Sequence, residues 1–282
     1  MLTDDFFNGT RLYHKKFTEL CKPLVDYLGV THAIYVNVDK HGKMFSICTD
    51  HQWVQRFLEE QYYKLDPLMV HPNNIHNGFS FDSASTDQEF KDNLLYDAIV
   101  KFNWCNSFAY IEKTAGGGYF GFDFGTSKDN FKIVNRLMNE TQIVKKAIRD
   151  LNRKIMLMIE DFESNRMDFA ALKGDLFHSQ KGLVFNEQHE TQSKIQLLRV
   201  AGLLGAANDD QSLLANVSLS PQEINCFRVY LTTRSIKQVS RDLNLAVTTV
   251  ASYIENIKDK LNCHNKNELF EKGEILESLG HI

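Results

Sequence analysis

LSPQEINCFRVYLTTRSIKQVSRDLNLAVTTVASYIENIKDKL, residues Leu219–Leu261, is the stretch that decides the C-terminal fold. Its opening, Leu219-Ser-Pro-Gln-Glu223, combines three helix-start signals. Ser220 can cap, Pro221 sits where a helix needs no N–H, and Glu223 completes a capping box. Ile224, Phe227 and Leu231 then form an inner stripe. Ser235 and Gln238 mark a second start, with Ile236, Val239 and Leu243 facing inward. After Asn244-Leu-Ala the spacing predicts a third helix from about Val247 to Leu261. Val247, Val250, Ile254, Ile257 and Leu261 make its apolar face. Thr248, Ser252, Glu255 and Asp259 lie opposite, with Thr249, Ala251 and Asn256 on the shoulders. Two short helices joined tightly, the second with one apolar and one small-polar face, meet the demands of a helix-turn-helix. The pattern by itself also fits a three-helix core with no partner.

The chain around this stretch has 282 residues, enough for about two domains. Hydrophobic residues make up 43% and charged residues 24%, the balance of folded globular domains rather than disorder. The N-terminus lacks a basic start followed by an apolar run, so no secretory signal is expected. No stretch is apolar for long enough to span a membrane, and the scattered cysteines fit a reducing compartment, so a cytoplasmic protein is expected. Cys21, Cys48, Cys105, Cys226 and Cys263 are scattered and odd in number, which argues against a zinc module or a disulfide framework. With a net charge of −4, any nucleic-acid site must be local.

Residues 1–28 carry apolar positions at helical spacing (Phe6, Phe17, Leu20, Leu24, Leu28). Ala33–Val38 and Met44–Cys48 are rich in β-formers, with Asp39-Lys-His-Gly42 as the turn between them. His51–Tyr63 reads as a helix stopped at Asp66-Pro67. A polar loop runs through Ser85, followed by a helix near 87–101. Strands are expected at Ser107–Lys113 and Tyr119–Phe124, joined by Ala-Gly-Gly-Gly. From Lys128 to about Arg166 the pattern is helical, with Ile133, Leu137, Ile143, Ala147, Leu151, Ile155 and Met158 near one face. A helix near 187–204 and a linker through Val217 complete the expected elements. Helices on both sides of a small antiparallel sheet make an α/β/α sandwich.

The run from Leu219 to Leu261 resembles the LuxR-type DNA-binding domain without a gap. Leu219, Pro221, Glu223, Lys237, Leu243, Thr249, Val250, Asn256, Ile257, Lys260 and Leu261 carry the match. The resemblance implies a four-helix domain whose last helix, near Asn267–Leu279, pairs in a dimer on palindromic double-stranded DNA. There are departures. Thr233 stands for the usual glycine after the first helix, and Ala246 for the usual Ser/Thr cap of the recognition helix, a loss of roughly 0.5–2 kcal/mol. The base-reading positions of relatives fall on Ala251, Ser252 and Glu255, none of them basic. Between Leu219 and Asn265 six cations face four anions, a net of +2, so phosphate attraction should be modest and salt-sensitive. The expected DNA contacts are Lys237, Thr248, Thr249, Ala251, Ser252, Tyr253, Glu255, Asn256 and Lys260. Glu255 would accept from a cytosine amino group, and Ala251 would touch a thymine methyl.

Trp53, Phe57 four residues later, and Asp66-Pro67 thirteen residues after the tryptophan resemble the autoinducer-binding domain found in front of this module. In that family the tryptophan donates to a lactone carbonyl and the aspartate accepts an amide N–H of an acyl-homoserine lactone. Here Phe57 and Thr49 replace tyrosines, and Phe81 replaces a second tryptophan. Thr49, Trp53, Phe57, Asp66 and Phe81 are the expected ligand contacts. A reading without a ligand, in which these residues simply pack, stays open.

Gly116–Gly118 lacks the Lys-Ser/Thr of a phosphate loop and reads as a hairpin turn. His71 and His76 have no companion ligands in sequence, and no catalytic constellation is found, so neither metal, cofactor nor enzyme activity is expected. The expectation is an α+β protein in three parts. Residues 1–165 form a PAS/GAF-like α/β/α sensor, 166–216 a helical connector and linker, and 217–282 the all-α DNA-binding domain. Its expected partners are double-stranded DNA, a second copy, a small apolar signal and RNA polymerase, with no membrane.

Overall fold

The computed structural model describes residues 2–114, 116–130, 132–159, 163–164, 166–180, 182, 219–278 and 282. They fall into two compact units divided between Val184 and Phe185. The helix expected near 187–204 and the linker after it lie outside the described residues.

The first unit opens with α1 (Leu2–Leu28), β1 (His32–Val38), β2 (Lys43–Cys48) and α2 (His51–Glu59). There follow β3 (Gly78–Phe81), α3 (Gln88–Phe90), a π-helical turn, α4 (Tyr96–Phe102), β4 (Phe108–Lys113) and β5 (Tyr119–Gly125). It closes with α5 (Lys132–Asn139), α6 (Thr141–Met158), β6 (Met167–Asp168), α7 (Phe169–Lys173) and α8 (Leu176–Ser179). All strand pairs are antiparallel, in the order β3-β4-β5-β1-β2-β6. The four strands and the turn glycines expected from sequence are present. Gly117 takes the positive φ of the β4–β5 hairpin, closed by Thr114 N–H to Gly118 O at 2.8 Å.

Strand alternation divides the core between the two faces of the sheet. Ala33, Tyr35, Phe45, Phe108, Tyr110, Phe122 and Phe124 point to one face, where α1, α5 and α6 cover them. On α1, Phe17, Cys21, Leu24 and Leu28 recur at helical spacing and are buried. That helix ends at Gly29 (φ +70), with the N–H groups of Gly29 and Val30 turned back onto Val25 O. Val36, Val38, Met44, Cys48, Ile111 and Tyr119 point to the other face, beneath α2, α3, α4, α7 and α8. The unit is thus an α/β/α sandwich.

Three expectations are corrected. The first unit does not end at 165, because Met167 and Asp168 pair with Met44 and Lys43, and Phe169 and Phe177 are buried in the core. Gly42 makes this possible, since a Cβ there would lie 2.6 Å from Ala170 and 2.8 Å from the Phe177 ring. Gly78–Phe81 is an edge strand rather than loop, formed from four half-buried residues too few for periodicity to show. The long helix breaks at Glu140 (φ −127), and α6 restarts in a new phase. Val144, Ile148, Leu151 and Ile155 are therefore buried while Ile143 is 64% exposed.

The second unit holds α9 (Pro221–Thr233), α10 (Ile236–Asp242), α11 (Val247–Lys260) and α12 (Lys266–Ser278). Phe227, Tyr230, Val239, Val250, Ile257 and Leu269 form its core. The capping box at the start of α9 is complete, with Ser220 accepting from Glu223 N–H and Glu223 from Ser220 N–H. At α10 only half of the expected box forms: Ser235 caps Gln238 N–H, but Gln238 turns to Asp242. The residue that needs left-handed backbone after α9 is Arg234 (φ 52), not Thr233, and its guanidinium lies over Phe270.

Candidate nucleic-acid interface and ligand cavity

α11 is seated by Val250, Ile254 and Ile257, all buried against α9 and α10. Val247, expected on that apolar face, is 47% exposed at the helix start. The outward side carries Thr248, Ser252, Glu255 and Asn256, all exposed, with Thr249, Ala251 and Tyr253 half-buried at its edges. Lys237 is exposed on α10. The sequence-predicted residues on α11 therefore share one accessible surface. Ala246 provides no side-chain cap for the first N–H groups of α11, as its chemistry dictates.

Two of these residues already have partners. Lys260 Nζ lies 2.7 Å from Glu223 Oε2, a carboxylate only 5% exposed, and ties α11 to the capping box of α9. Burial pushes the Glu223 carboxyl up, but hydrogen bonds from Lys260 and Ser220 outweigh it and hold it below the usual range. Glu255 is paired with Lys258 at 3.1 Å, so a base reaching Glu255 competes with that cation. Behind the interface, Lys272 donates to Leu261 O at 2.8 Å and Asn262 O at 3.2 Å, closing the C-terminal end of α11.

A cavity of about 50 Å³ lies in the first unit between the sheet and the layer of α2 and α4. Trp53 and Phe57 of α2, Leu94 before α4, Ile111 of β4 and Met69 of the intervening loop form its apolar wall. Asp66 and Asp123 line it as well. Asp50 caps α2 by accepting from the N–H groups of Gln52 and Trp53, which fixes where Trp53 enters. Trp53 sits among Phe57, Tyr62, Phe102 and Trp104, the last with ring centroids 4.7 Å away.

The loop carrying Asp66 is braced from two sides. Tyr119 donates to Leu68 O at 3.0 Å and to Val70 O at 3.2 Å. Lys173, buried on α7, donates to Asp66 O at 3.2 Å and Met69 O at 2.6 Å. Burial lowers the Lys173 ammonium to about 8 against the opposing pull of Asp66. The Asp66 carboxylate accepts from Leu68 N–H at 2.8 Å, and burial raises its pKa despite that bond and Lys173.

Of the five expected ligand contacts, the structure gathers Trp53, Phe57 and Asp66 around the cavity. Thr49 and Phe81 are elsewhere. Thr49 Oγ1 is used on Ala33 N–H and Ala33 O at the end of β2. Phe81 pairs with Phe108 across β3 and β4, which turns its ring to the opposite face of the sheet. Asp123 and Lys173 were missed. The signal for Asp123 was the alternation in Tyr-Phe-Gly-Phe-Asp-Phe-Gly, which sets it on one face with Tyr119 and Gly121; the register then places it between Ile34 and Ala109. His71 accepts from Asn73 N–H through Nδ1, and among the described residues no three His, Cys, Asp or Glu side chains converge to hold a metal ion. No described helix is long and apolar enough to cross a membrane.

Comparison with known proteins bears on the second unit. Residues 217–272 match the family described as bacterial regulatory proteins, luxR family. The transcriptional regulatory protein RcsA of Klebsiella aerogenes is 30% identical over 69 residues, 24% of this chain and 33% of that protein. The chain thus spans about a third of the length of this curated relative. Over 98% of the chain, SdiA in complex with octanoyl-rac-glycerol aligns at 12% identity with a TM-score of 0.39, covering 96% of that structure. A second structure, of Escherichia coli SdiA, aligns at 12% identity with a TM-score of 0.37, again over 98% of this chain and 98% of its own. Those two likenesses are too distant to carry weight. The match over 217–272 falls on a four-helix unit with an exposed polar face on its third helix, so this stretch of the chain is similar to the luxR family of bacterial regulatory proteins.

Proposed function

We propose that the chain is a transcription regulator that reads palindromic double-stranded DNA as a homodimer and is controlled by a small molecule in its first unit. The observation that carries this reading is the exposed row Thr248, Ser252, Glu255 and Asn256 on a helix anchored by a fully apolar opposite face. Side chains of that size let a helix approach base edges in the major groove. In this reading Thr249, Tyr253, Lys237 and the uncapped first N–H groups of α11 contact phosphates. Lys260 serves first as the tie to Glu223 and only secondarily the DNA backbone.

With little positive charge to spare, one unit alone would bind weakly, and two half-sites supply the affinity. Exposed Ile143 and Leu157 on α6 favour pairing between copies, since apolar side chains 64% and 78% exposed gain from being covered. The apolar cavity with two carboxylates favours control by a ligand, absent which the unit would serve pairing alone. Regulation of RNA polymerase in a cytoplasm follows from this role, and no catalytic step is invoked.

Selection from a random duplex library with the full chain tests the proposal. Enrichment of a palindrome with half-sites about one helical turn apart is expected. Glu255→Gln should change the base preferred within each half-site. Enrichment of no motif, or saturation by one copy on a single half-site, would overturn the reading.

A further inference from the structure

We infer that the cavity of the first unit takes an amphiphile bearing a protonated amine, its ammonium on the carboxylates of Asp123 and Asp66 and its apolar body against Trp53, Phe57, Leu94 and Ile111. This rests on the reading that the first unit binds a small molecule, and it names the chemical class.

The first reason is an imbalance of donors. Asp123 lies in the central strand β5, with Ile34 and Ala109 as its neighbours across the sheet, and its Oδ1 is buried without a hydrogen-bond partner. Asp82 follows Phe81 at the end of β3, and alternation returns it to the same face of the sheet. It is 5% exposed, and its Oδ1 also lacks a partner. A buried carboxylate oxygen with nothing to accept from is costly, and native interiors seldom keep one unless something else fills the place.

The second reason is charge. Burial raises Asp66, Asp82 and Asp123, and repulsion from neighbouring carboxylates adds to it at two of them: Asp66 raises Asp82, to about 7, and Asp82 and Asp66 both raise Asp123. The cation beside Asp66 is Lys173, whose Nζ is engaged with two backbone carbonyls. Arg56 and Lys101, two further cations of this layer, are held by Asp97, and Arg56 by Glu60 as well. A neutral acyl head would leave the repulsion in place. An ammonium group brings three donors and the missing positive charge. Trp53 and Phe57 on the same wall offer ring faces that attract a cation. A bare metal ion does not suit the site, because no three carboxylates among the described residues converge on one point.

The test uses the full chain and ligands of one chain length with different heads: n-hexylamine, 1-hexanol, hexanoate and N-hexanoyl-homoserine lactone, titrated calorimetrically at pH 7. Hexylamine should bind about tenfold or more tightly than hexanol, with hexanoate weakest. Asp123→Asn should lose that preference about tenfold while leaving hexanol affinity within about twofold. Asp82→Asn, away from the cavity lining, is the second variant should Asp123→Asn disturb the sheet, and it should weaken hexylamine alone. Tighter binding of hexanol or of the lactone would overturn the amine and leave a ligand-binding unit standing. Binding of none of the four would overturn both. Undiminished hexylamine affinity in both folded variants would overturn the assignment to these carboxylates.

Discussion

The two faces of the sheet are built from the same strands and solve opposite problems. On the face covered by α1, α5 and α6, Tyr35, Phe108, Phe122 and Phe124 are large rings, all but fully buried. On the other face, Gly121, Ala109 and Asp123 take the corresponding positions and a cavity opens. The difference is one of side-chain volume at alternate positions of β4 and β5, so a single strand serves as core on one side and as cavity wall on the other. The filled face supplies the stability that lets the other keep a void and unpartnered carboxylates.

The sharpest way to break this comparison is to remove an aromatic from the filled face. Phe124 is fully buried between Phe108 and Phe122. Phe124→Ala should cost about 3–5 kcal/mol in urea unfolding, the usual range for a buried aromatic truncated to a cavity. A cost below about 1 kcal/mol would mean that this face is not the supporting one.

A second comparison lies within the cavity layer, between carboxylates with partners and carboxylates without. Asp97 Oδ2 accepts from Tyr62 Oη at 2.6 Å, Arg56 Nη2 at 2.8 Å and Lys101 Nζ at 2.9 Å. Burial pushes its pKa up, but these bonds outweigh it and hold the group at about 2. Its stabilisation is therefore present above the ordinary aspartate range and lost as pH falls through about 2. Asp82 is the reverse case. Its folded pKa is raised to about 7, so its contribution is fully present below about 4 and lost as pH rises through 7. Asp97→Asn should cost about 2–3 kcal/mol at pH 7, less than a fully buried pair because Arg56 and Lys101 reach solvent. Asp82→Asn should instead gain on the order of 1–3 kcal/mol at pH 8 and nothing at pH 4. Thermal melts of both variants from pH 4 to 8 check the two signs. A common sign would show that the carboxylates do not differ as their partners imply.

Legibility from sequence follows the same division. The capping box at Ser220 and Glu223, the stripe Val250, Ile254 and Ile257, and the β1–β2 and β4–β5 hairpins could be read because each is a local pattern longer than a turn. The short pieces could not. β6 and α7 carry too few residues to show a period, yet they deliver Lys173 to the loop of Asp66, over a hundred residues away. The cavity itself was half legible. Trp53, Phe57 and Asp66 stand at recognisable spacing, whereas Phe81 was misplaced because its face depends on pairing with β4 rather than on spacing from Asp66. Asp123 was visible in the alternation of β5, but a carboxylate within a row of phenylalanines gains meaning only once the opposite wall is known.

The finest distinction between the two faces is room for two more carbons. Ala33 and Ala109 are both buried in strands of the sheet, the first against the filled face and the second lining the cavity. Ala33→Val adds two methyl groups at a fully buried position beside Phe124 and should cost about 1–3 kcal/mol through forced shifts of its neighbours. Ala109→Val adds the same atoms towards the void, where they gain contacts instead of displacing them, so its cost should stay under about 1 kcal/mol. Because β-propensity rises equally in both, the difference between the two unfolding free energies isolates packing. Equal costs would mean that the cavity wall is as rigid as the filled core, and a ligand would then have to fit the void as it stands.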